Sequence, residues 1–193
     1  MGTPPYTRAC TLGLTLFVAR LRGIIRELLA SSPLSVSAQF AATALGRLKR
    51  KLSGCGSPEI PSGPLFYISE EGLSRPTDAF DKILRAARSV CGAGSGLFAL
   101  QSLTPVIKQT IGLRWEEDGE MANSLAVLDS DMTQAIQSSK EELMREKGAG
   151  VDEAKAVAEE LRLRISEVLT SVESWGGKPP FERTEASLEH WKL

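Results

Sequence analysis

The stretch MANSLAVLDSDMTQAIQSSKEELM, Met121–Met144, decides the fold. Met121, Leu125, Leu128, Met132, Ala135, Ser139 and Leu143 recur at steps of four and three, the spacing that keeps one stripe of a helix apolar. Beyond the short run GAGV the pattern resumes in EAKAVAEELRLRISEVLTSVESW, Glu153–Trp175, through Ala158, Leu161, Ile165, Val168, Val172 and Trp175. Two such stripes joined by a brief glycine turn predict an antiparallel helical hairpin. Gly148 and Gly150 supply the stop, and Asp152 is the expected N-cap of the returning helix. Glu141 and Arg145, Lys155 and Glu159, and Glu160 and Arg164 sit four apart on the outer faces, pairs that each add a few tenths of a kcal/mol. Asp129 and Asp131 flank the first stripe without entering it.

Downstream, Gly176, Gly177, Pro179 and Pro180 break the pattern, and a short last helix follows with Thr184 as its expected cap and Leu188 and Trp191 as its docking residues. His190 is the single histidine and has no nucleophile or carboxylate fixed near it by local spacing, so it reads as an exposed helix end.

Upstream, LFALQSLTPVIKQTIGL (residues 97–113) carries only Lys108 as a charge and predicts the central buried helix, kinked or restarted at Pro105. Trp115 at its edge reads as a lid on the core. The segment SRPTDAFDKILRAARSVCGAGSG predicts a helix starting near Pro76, with Phe80, Ile83, Leu84, Ala87, Val90 and Cys91 on one face and Asp78 and Asp81 at its positive end. Its terminal GAGSG lacks the GxxxxGK[ST] and GxGxxG patterns of phosphate-binding loops and reads as a turn between helices. PLFYIS is the one plausible strand, so β structure should be minor.

Charge divides the chain. Residues 1–58 hold eight basic residues against the single acid Glu27, a net charge of +7, and the remainder carries −8. The Gly, Pro and Ser density of residues 53–64 marks a linker at the same place. The expected organisation is therefore a basic amphipathic N-terminal arm, residues 1–58, and an acidic helical bundle, residues 59–193.

Within the arm, CTLGLTLFVARLRGIIRELLA (Cys10–Ala30) is apolar enough to suggest a membrane span, yet Arg20, Arg22 and Arg26 interrupt it. The arginines follow the apolar run, the reverse of a secretory signal, so secretion is not expected. At 100° per residue Leu14, Phe17, Val18, Leu21, Ile24, Ile25, Leu28 and Leu29 fall within an arc of about 140°, with the arginines opposite. Three readings of this amphipathic helix stay open: a core helix, a mitochondrial or plastid import sequence, and a helix lying on an anionic membrane surface. A second helix after Pro33 carries Val36, Phe40, Ala44, Leu48 and Leu52 at i+4, with Gly46 weakening it by about 1 kcal/mol. It ends in Arg47, Lys49, Arg50 and Lys51, cations favoured at a helix C-terminus. No aromatic platform accompanies them, which disfavours nucleic acid.

Cys10, Cys55 and Cys91 are odd in number and form no CxxC pair, which fits reduced, intracellular surroundings. One histidine rules out multi-histidine metal sites, and no carboxylate pair stands on an apolar helix face. The sequence therefore predicts an all-α bundle of five to seven helices, with no catalytic site, no metal and no cofactor. The leading expectation is a non-catalytic interaction protein, an accessory subunit of a larger intracellular assembly. The alternatives are a membrane-acting bundle and a ligand-binding or enzymatic bundle with an apolar pocket around residues 97–113. Contact with a protein partner or an anionic membrane would fall on Phe17, Leu21, Ile25 and Leu28, with Arg20, Arg22, Arg26, Arg47, Lys49, Arg50 and Lys51 as the cations.

Overall fold

A computed structural model describes residues 21, 23–53, 63–145, 148 and 150–192. The chain divides into two units, Met1–Gly46 and Arg47–Leu193. The charge boundary near residue 58 lies outside the described residues. The fold is all-α, with seven helices and one two-stranded ribbon among the described residues.

In the first unit, helix α1 (residues 21 and 23–31) turns through Pro33 into α2 (Leu34–Ser53), whose course continues past the division. The turn is built from serines. Ser31 and Ser32 donate their hydroxyls to the carbonyl of Leu28 (3.2 and 2.6 Å), and Ser37 Oγ donates to Leu29 O (3.0 Å). These bonds satisfy carbonyls that the end of α1 would otherwise leave without partners.

After the end of α2, the next element of the second unit is strand β1 (Phe66–Ile68), paired antiparallel with β2 (Ser74–Pro76). The second strand has no apolar alternation to reveal it, and it absorbs Pro76, which was expected to start a helix. Helix α3 (Asp78–Gly92) instead begins after the extended residue Thr77, whose hydroxyl reaches Pro64 O (2.9 Å). Four more helices follow: α4 (Gly96–Lys108), α5 (Glu120–Arg145), α6 (Val151–Glu173) and α7 (Glu182–Glu189). Helix α4 runs through Pro105 without restarting; the missing proline N–H deprives the Gln101 carbonyl of its usual helical partner three residues before the helix ends.

Both stripes are buried. Met121, Leu125, Leu128, Met132, Ala135, Ser139 and Leu143 on α5 and Ala158, Leu161, Ile165, Val168 and Val172 on α6 belong to one core with Phe80, Leu100, Leu103 and Ile107. Ser139 tolerates this position because its hydroxyl donates back to Ala135 O (2.7 Å). Trp175 meets Trp115 edge-on at 5.2 Å, and Trp115 closes the core as a lid.

The hairpin of α5 and α6 encloses a third helix. Both arms pack extensively on α4, and their contact with each other is slight by comparison. Gln101 Nε2 donates to Glu153 Oε1 (2.7 Å), and Gly112 N donates to Ser171 Oγ (2.9 Å), so α4 and α6 run in the same direction. At its other flank, Leu97 N donates to Glu142 Oε2 (3.1 Å) and Arg145 to Gly94 O (2.9 Å), which sets the start of α4 against the end of α5. The arms are therefore antiparallel, with α4 between them. Gly96 permits the approach: a Cβ there would lie 2.6 Å from Ser138 C and 2.7 Å from Ala135 O, both backbone atoms of α5.

Two expected caps are corrected. Gly150, at φ +86°, takes the N-cap position of α6 because the turn requires a left-handed residue there, and Asp152 falls in the first turn. Phe181 is the N-cap residue of α7, and Thr184 is buried one turn inside. The capping acceptor comes from α5. Asp129 accepts from Arg183 N (3.3 Å) and from Thr184 N (2.8 Å), so this aspartate is buried rather than merely flanking the stripe.

Candidate functional site

The feature without a structural explanation is the apolar face of the first unit. On α1, Ile24 and Leu28 are 59% and 58% exposed and Leu21 is 46% exposed, whereas Ile25 and Leu29 are half-buried. Helical spacing places Ile24, Leu28 and Leu21 on one edge of the apolar arc and Ile25 and Leu29 on the other. One edge is thus partly covered, and the other meets solvent. On α2, Val36 and Phe40, one turn apart, are each 46% exposed, and Leu34 is more exposed still.

Of the contact residues expected from sequence, Leu21, Leu28 and Arg26 are exposed on α1, Ile25 is half-buried, and Arg47 is exposed on α2. Lys49, Arg50 and Lys51 belong to the last turns of α2. Phe17, Arg20 and Arg22 lie outside the described residues. Ile24, Leu34, Val36 and Phe40 join the exposed set. The i+4 spacing of Val36 and Phe40 identifies an apolar helix face, and that face is only half covered here.

Two cavities of the second unit lie against α4. A cleft of about 420 Å³ lies between α3 and α5, floored by Ala99 and Leu103 of α4 and walled by Ala87 and Ala135. Arg88 Nε bridges it, donating at 2.8 Å to each carboxylate oxygen of Asp131, and this bond raises the guanidinium further above its ordinary value. Cys91 lines the same cleft beside Ser138. Burial pushes its thiol above the usual range, against a smaller lowering by the Ser138 hydrogen bond. A thiol held protonated is a poor nucleophile.

A shallower groove of about 500 Å³ runs between α4 and α6, lined by Thr104, Pro105, Lys108, Val157 and Arg164. Arg164 is clamped between Glu160 (2.8 Å) and Glu167 (2.9 Å). Both cavities border the segment expected to carry an apolar pocket.

Two further carboxylates of α5 are engaged in structure. Asp129 caps α7, and Glu142 of the same helix accepts from Leu97 N at the start of α4. His190 is exposed, with Nδ1 2.7 Å from Ala186 O. Among the described residues no three His, Cys, Asp or Glu side chains gather as a metal site would require, and no helix is long and apolar enough to cross a membrane. Comparison with protein-family models, with curated proteins and with solved structures gives no significant match.

Proposed function

We propose that this chain is a non-catalytic helical interaction protein, an accessory subunit of a larger intracellular assembly, with α1 and α2 as its contact surface. The observation that supports this reading is the exposure of Leu21, Ile24, Leu28, Val36 and Phe40 in a segment with a strong net positive charge. The second unit encloses its own apolar stripes and exposes large apolar residues such as Ile68, Met144 and Leu163 at separate places in its sequence, whereas those of the first unit recur at helical spacing on α1 and α2. The carboxylates that converge in the second unit cap helices or pair with arginine, which favours a binding role over a catalytic one.

Native mass tests the reading. The endogenous protein, gently extracted, is expected in a species larger than its 20.8 kDa chain, and Ile24→Asp/Leu28→Asp is expected to release the free chain. A wild-type monomer under the same conditions contradicts it. N-terminal sequencing of that sample tests the import reading of the basic segment, which requires a shortened chain.

A second reading, a small-molecule carrier, is favoured by the cleft beside Cys91, whose volume is within the range of ligand pockets. It predicts a ligand retained through purification and lost in Ala135→Leu, which fills the cleft; native mass spectrometry distinguishes the two forms.

A further inference from the structure

We infer that the surface which the exposed face of α1 and α2 meets is an anionic lipid bilayer, on which the two helices lie in the plane of the headgroups. This rests on the reading that the face is a contact surface, and it names what is contacted.

Three observations point to lipid. The first is side-chain type. The exposed set is Leu21, Ile24, Leu28, Val36 and Phe40, aliphatic residues with one phenylalanine. Acyl chains ask for apolar area without shape, which this set supplies.

The second is charge. Arg26 is exposed on the side of α1 opposite the apolar arc, and residues 1–58 contain one acid against eight bases. A basic amphipathic helix is drawn to phosphatidylglycerol or phosphatidylserine and far less to neutral lipid. The acidic remainder of the sequence is repelled by such a surface, so any electrostatic attraction to it falls to the basic segment.

The third is the backbone. A bilayer interface favours helices whose polar groups are bonded internally, and serine hydroxyls take up carbonyls at the break between α1 and α2. Ser31 and Ser32 close on Glu27 O and Leu28 O, and Ser37 ties α2 to Leu29 O. No helix among the described residues is long and apolar enough to span the bilayer.

The test is flotation of the full-length protein with phosphatidylcholine vesicles, with and without phosphatidylglycerol. The protein is expected to float with the anionic vesicles and to be released by salt. Ile24→Asp/Leu28→Asp should weaken binding by more than about tenfold, and Arg26→Glu by about fivefold or more. Far-UV circular dichroism of each variant checks that the helices persist. If the double variant unfolds, the wild type and Arg26→Glu still decide the outcome. Failure of the wild type to float, or equal flotation with neutral vesicles, overturns the proposal. So does an endogenous mature chain that lacks residues 21–40. If the wild type does not float but the face variants dissolve a native assembly, the contact reading survives and its partner is a protein. If the variants change neither measurement, both readings fall.

Discussion

Asp129 Oδ1 accepts from both the backbone amide (2.8 Å) and the hydroxyl (2.6 Å) of Thr184, a residue 55 positions further along the chain. One carboxylate thus holds the last helix against the middle of α5. Replacing it with alanine leaves buried donors without acceptors, so Asp129→Ala should cost about 2–4 kcal/mol, read as a lower urea midpoint. Trp191, buried beside α7, should shift its emission to the red if the helix detaches. Two residues on, Asp131 forms a pair with the half-exposed Arg88, and Asp131→Ala should cost less than about 1 kcal/mol. Equal losses at the two positions would contradict this assignment.

Gly96 and Gly46 make a second contrast. A methyl group at Gly96 meets the α5 backbone, which cannot yield as a side chain would, so Gly96→Ala should destabilise the protein by about 3 kcal/mol. Gly46 lies within α2 with open space where a Cβ would stand, and Gly46→Ala should stabilise that helix by about 0.5–1 kcal/mol. Thermal melts followed at 222 nm report both.

Leu128 and Ile165 sit at the centres of the two stripes, at 0% and 2% exposure. Leu128→Asp and Ile165→Asp place a carboxylate in the apolar core, and each should destabilise the protein by about 4 kcal/mol or more. A shift of only a few degrees in melting temperature would mean that the stripes are not where the core lies.

Cys91 should alkylate slowly. Burial raises its pKa, so at neutral pH its thiolate fraction is below that of a free cysteine, and the rate with iodoacetamide should climb only at more alkaline pH than for glutathione. The same shift acts on stability. Above the ordinary thiol pKa the unfolded chain loses this proton before the folded one does, so the contribution of Cys91 to stability falls as pH rises. Cys91→Ser should flatten that alkaline slope.

The stripes of α5 and α6 were legible because period reports which face is buried. Period does not report what covers that face. Each arm of the hairpin was expected to meet the other, yet α4 stands between them, a neighbour chosen by the close approach at Gly96 rather than by any repeat. Caps failed for a related reason. Thr184 and Asp152 have the right chemistry at the right local position, but α7 draws its acceptor from Asp129 across the fold, and the α6 turn takes a left-handed glycine. Strand β2, Ser-Arg-Pro, carries no signal of its own and exists through its pairing with β1. At the candidate site, helical spacing identified Leu21 and Leu28. Which edge of the arc meets solvent is not set by helical period, which marks the apolar face without saying what covers it.

The central position of α4 bears on how the second unit assembles. A hairpin whose arms meet can close early from nearby segments, but here closure waits for a helix made earlier in the chain to be inserted. Neither arm gains its main contacts until α4 is seated, which ties the fate of three helices into one event. An isolated fragment of residues 120–175 should therefore be loosely ordered and prone to self-association, whereas residues 63–192 together should unfold in a single transition.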